Sequence, residues 1–106
     1  MLPLAGDALV GASCTLNAAD LRQRLAEWRQ LRNRAQTIER ASDGAYRLRF
    51  APDEPMDAIA RLVALESECC AFYRFTIGIE GRDRELIIDA GPGRAVAVEG
   101  LLSIEG

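Results

Sequence analysis

The dipeptide Asp43-Gly44 and the seven residues behind the turn, "AYRLRFA", leave this chain little local choice. Tyr46, Leu48 and Phe50 alternate with Arg47 and Arg49, and a period of two places the apolar set on one face of a strand and the arginines on the other. Asp-Gly suits a two-residue hairpin loop, so the partner strand is expected over residues 36–41. A hairpin with one apolar face is marginal alone and needs further strands or a helical layer. The rest of the chain offers both. Tyr73, Phe75, Ile77 and Ile79 alternate in the same way, and Gly81-Arg82-Asp83 turns that run back into "ELIIDA", a second hairpin. A further strand is expected over residues 8–16, ending in "SCTL".

Helical periodicity fills the gaps. Asn17 reads as an N-cap with Asp20 in the capping-box position. Leu21, Leu25, Trp28 and Leu31 then form one stripe of a helix that runs to about Arg34, with Arg22, Arg24, Arg29 and Arg32 on the wet side. "APDEP" opens a second helix, with Asp53 as the expected cap and Pro55 in the first turn. Its apolar set includes Met56, Ile59, Leu62, Val63 and Leu65, and it is expected to continue to about Cys70. After "GPG", residues 94–104 read as a short C-terminal helix that contains Gly100. The order β-α-β-β-α-β-β-α predicts an α+β fold, a two-layer sandwich of a mainly antiparallel sheet with amphipathic helices on one face. With 106 residues the chain is expected to be a single domain, with residues 1–8 a flexible N-terminal segment.

Composition narrows the chemistry. There is no histidine, so the commonest general base and the commonest transition-metal ligand are both missing. Every basic residue is arginine. Residues 1–50 hold eight Arg against five acids and residues 51–106 hold five against eleven, so the halves have opposite sign and the net charge is −3. A net acidic chain is not expected to bind nucleic acid or an anionic membrane, which need clustered positive charge. The uncharged run over residues 8–19 is too short and too polar to span a bilayer, and no basic n-region precedes it. Three cysteines, an odd count, argue for reduced thiols in a cytoplasmic setting.

The candidate site is "LESECCAF", residues 65–72. On a helix, positions i, i+3 and i+4 share a face, so Glu66 lies one turn below both Cys69 and Cys70. Adjacent thiols point about 100° apart on a regular helix. Both can therefore grip one ion only where the helix frays, and here they stand at its end. Cys14, at the end of the first expected strand, is the candidate third donor. Three thiolates without imidazole suit soft ions, mercuric, arsenite-type or cuprous, and the three cysteines with Glu66 are also a donor set for zinc. Against this stands plain packing. Cysteine behaves as a small hydrophobe, and Cys69 and Cys70 extend the apolar rows of the second helix.

The same stretches resemble a group of small, mostly uncharacterised bacterial domains. Those domains are marked by an early C-[ST]-L before a helix with Arg and Trp, then by E-x-x-C-C-P-F before a hairpin. The matching segments are "SCTLNAADLRQRLAEW", "YRLRF" and "LVALESECCAFYRFTIGI", from about residue 13 onward. The resemblance implies a thiol site built on Cys14, Glu66, Cys69 and Cys70, with Phe72 and Trp28 as supporting positions. It also implies an occasional association with regulators of the mercury-resistance type. Ala71 departs from the pattern, which has proline there.

Two functions are therefore expected to compete. One is a soft-metal or metalloid binding domain acting as sensor or buffer. The other is a structural or protein-interaction module, with the cysteines in the core and the opposed charge of the two halves favouring a homodimer. No Cys–His pair, Ser–His–Asp set, phosphate-cradling glycine loop or supported carboxylate pair marks the chain as an enzyme.

Overall fold

The computed structural model describes residues 17–104. The expected strand over residues 8–16, the segment 1–8 and Cys14 lie outside the described residues. Helix α1 (Ala18–Arg34) leads into the hairpin β1 (Thr37–Ser42) and β2 (Ala45–Phe50). Helix α2 (Met56–Cys69), the hairpin β3 (Arg74–Glu80) and β4 (Asp83–Asp89), and helix α3 (Ala95–Leu102) follow. The four strands form one antiparallel sheet in the order β1-β2-β4-β3. This is the α+β arrangement that the patterning predicts.

Register explains the layering. Tyr46 pairs with Ile88 and Leu48 with Leu86 across β2 and β4, and Phe75 and Ile77 pair with the same two residues across β3 and β4. One face is thus apolar, and it meets Trp28 and Leu31 of α1, Ile59 and Leu62 of α2, and Val98, Leu101 and Leu102 of α3. Helix α3 lies over β2 and β4, and α1 packs on both other helices. The tyrosine hydroxyls tie α3 down: Tyr73 donates to Ala97 O at 3.1 Å and Tyr46 to Glu99 Oε2 at 2.7 Å. The opposite face stays open and carries a charge ladder in which Arg47 pairs with Glu39 and Glu85, and Arg49 with Glu39.

Local details follow the sequence, with two corrections. Asn17 caps α1 by accepting from the Asp20 amide at 2.8 Å, as its position predicts. Asp53 does not cap α2. It sits in a turn closed by Glu54 N donating to Ala51 O at 3.0 Å, and the cap position falls on Pro55 without a side-chain hydrogen bond. The reason is steric: the residue before a proline disfavours helical backbone, so Glu54 cannot begin the helix. The other end of α2 falls where expected, at Cys69 with Cys70 as the extended C-cap. The second correction concerns the wet side of α1. The Arg24 side chain is only 11% exposed, and Arg32 donates to the carbonyls of Leu102 and Ser103 at the end of α3. Gly44 has φ +88°, and a Cβ there would overlap the Gly91 carbonyl, so the first turn needs glycine for two reasons. No helix among the described residues is long and apolar enough to cross a membrane.

Candidate functional site

Ile59, Leu62 and Glu66 are the buried residues of α2, so Glu66 occupies the core-facing stripe where an apolar side chain would be ordinary. A buried carboxylate is costly unless it is paired and hydrogen-bonded. Two residues of α1, four apart and therefore on one face, supply what it needs. Trp28 Nε1 donates to Glu66 Oε1 at 2.9 Å, and Arg24 Nη1 donates to the same oxygen at 3.3 Å. Trp28 is itself fully buried and stacks on Phe75 of β3 with centroids 5.8 Å apart, which fixes its indole.

The same guanidinium reaches the cysteine one turn further along α2. Arg24 Nη1 lies 3.9 Å from Cys69 Sγ. Burial works to lower the Arg24 pKa, but the Glu66 charge and the contacts with Cys69 outweigh it, and the net displacement is upward. Arg24 is therefore a fixed cation at the thiol. The local field differs from what the sequence implies. A helix C-terminus flanked by Glu66 and Glu68 is negative, and the guanidinium adds a positive charge at hydrogen-bonding distance from the sulfur.

The two adjacent cysteines separate. Cys69 is a half-buried thiol at the Arg24–Glu66 pair. Cys70 is fully buried, and its side chain belongs to the hydrophobic core while its amide donates to Glu66 O at 2.8 Å. Cys70 thus sits within the core, and Cys69 packs against its margin. Phe72 follows in the turn before β3, half-buried against Tyr73, with the Arg94 guanidinium 5.8 Å from its ring centroid. Glu66, Cys69 and Trp28 are brought together, and Cys14 lies outside the described residues. Among the described residues no group of three Cys, Asp or Glu side chains is disposed to hold a metal ion. Of the predicted ligands, Glu66 has Oε1 committed to two donors, which suits it to holding Arg24 in place.

Sequence reasoning missed Arg24. Its signal was present, since it precedes Trp28 by one turn and borders the Leu21–Leu25 stripe, but the charge assigned it to solvent. No protein-family model matches the chain, and no characterised protein or solved structure shows significant similarity to it.

Proposed function

We propose that this chain binds a soft metal or metalloid ion, of the mercuric, arsenite, cuprous or zinc kind, through its thiols, in a sensor or buffer role. The observation that carries the reading is the half-buried Cys69 sulfur held 3.9 Å from the Arg24 guanidinium, which Glu66 and Trp28 anchor in turn. A thiolate is the form that ligates metal, and the guanidinium sets a positive charge and a hydrogen-bond donor beside that sulfur. With no imidazole in the chain, soft ions are the class such a donor selects. Cys69 is the first donor and Cys14 the second. Cys70 joins only by leaving the core, which requires the last turn of α2 to open. Glu66 acts as the outer-shell group. The likeness to the E-x-x-C-C-P-F domains supports the same assignment, and the odd number of thiols supports a reducing, cytoplasmic setting.

The test is a titration of the reduced full chain with each ion, read by native mass spectrometry and by thiol-reagent kinetics. One equivalent of a preferred ion should bind and protect Cys69. Cys69→Ser should abolish this, Cys14→Ser should weaken it, and Cys70→Ala should leave it in place. Parental affinity in Cys69→Ser would sink the proposal. The complete burial of Cys70 favours a second reading, a structural or protein-interaction module. Thiols that react only upon unfolding, with no ion bound, would establish it.

A further inference from the structure

Among the described residues, β3 pairs with β4 and has no strand on its other side. Phe75, Ile77 and Ile79 point to the helix-covered face, yet Ile77 is 36% and Ile79 58% exposed because the helices stop short of this edge. Edge strands are ordinarily blunted by an inward charge, a proline or a bulge. Between its terminal charges β3 has none of these; the stretch reads Phe75-Thr76-Ile77-Gly78-Ile79.

The order of residues along β3 is self-complementary. Set a second β3 antiparallel to the first about a two-fold axis at Ile77. Arg74 then stands opposite Glu80 of the partner subunit, Phe75 opposite Ile79 of the partner subunit, and Ile77 opposite its own copy. Directly opposed residues share a face in an antiparallel pair, so both salt links fall on the open face and the apolar row runs unbroken along the other. Within one chain Glu80 is opposite Asp83, a like-charged pair. The incoming Arg74 of the partner subunit would bring a cation to those two acids.

We propose that β3 is the dimerisation edge of this protein: a second copy of the chain adds its own β3 antiparallel about Ile77, which joins the two four-stranded sheets into one. The contact is isologous and closes as a dimer, because the same strand supplies both charges and both halves of the apolar row. It does not use the Arg-rich face of α1 and is independent of the thiol reading.

Sedimentation equilibrium of the full chain over a range of concentration and salt tests this. A dimer is expected. Ile79→Lys should raise its dissociation constant by about 100-fold, since two buried copies of the side chain are lost. Its thermal midpoint under monomeric conditions should not change. Arg74→Glu and Glu80→Arg should each weaken the dimer by roughly tenfold at low salt, and the double reversal should restore it. A chain that stays monomeric at the highest attainable concentration overturns the proposal. So does a dimer indifferent to all four variants. A monomer that loses thermal stability with Ile79→Lys also overturns it, because the strip is then covered by a segment of the same chain.

Discussion

A buried carboxylate on the core-facing stripe of α2 is costly unless donors hold it, and Glu66 is held by two from α1. Removing it strands Arg24 in a site that leaves its side chain only 11% exposed. Glu66→Ala should therefore cost about 3 kcal/mol in chemical denaturation. Glu66→Gln, which keeps an oxygen for both donors, should cost about half as much. Tyr46 gives a second prediction at this scale. Its hydrogen bond to Glu99 is the main cause that holds its pKa above the usual value, with burial and the Glu99 charge adding and Arg40 opposing. A phenol whose pKa is raised on folding stabilises the native state below its unfolded pKa of about 10, and the contribution is lost as pH climbs through the folded value. Stability should thus fall at pH above about 10, and Tyr46→Phe should flatten that limb while lowering neutral-pH stability by about 1–2 kcal/mol. Residue types were legible here and partners were not. "ECC" marks a helix end and an acid one turn below a thiol. Which sulfur turns inward depends on where α2 lies on the sheet, a property of no single segment. Arg24 was misread for the same reason, since its partner is 42 positions away.

Elements whose cause is local were legible almost to the residue. The α1 cap is a short-range hydrogen bond, so Asn17 and Asp20 declare it together. Asn17→Ala should cost about 1 kcal/mol and raise amide exchange in the first turn. The first hairpin is equally local in origin, but Gly44 also meets Gly91 near the start of α3. Gly44→Ala should therefore cost more than the ~1 kcal/mol of an ordinary glycine-to-alanine exchange at positive φ. A drop of the thermal midpoint by well over 5 °C is the expected reading. The start of α2 was misplaced because two local rules conflict. Asp53 is a good capping residue, yet Pro55 bars its predecessor from helical backbone, and the steric rule prevails.

On the scale of the whole molecule, patterning predicts the two layers because alternation on four strands leaves one face that helices must cover. The order β1-β2-β4-β3 was not legible, since the β2–β4 pairing joins residues about forty apart and no turn announces it. That pairing makes β2 and β4 central and leaves β1 at an edge, nearly all exposed. Native-state hydrogen exchange should follow the same order. Amides of β2 and β4 should approach global stability, while those of β1 exchange through smaller openings. Uniform protection across the four strands would contradict this layering.

Trp28 is the only tryptophan in the chain, and its indole donates to the carboxylate that anchors the cation at Cys69. The protein therefore carries its own optical reporter, wired to one sulfur. A mercuric ion seated on that thiol should quench the ultraviolet emission through heavy-atom coupling, with the wavelength of the residual light shifting as the indole's partner moves. Fluorescence in a cuvette would follow occupancy without a label, and Cys69→Ser should leave the signal dark to the ion.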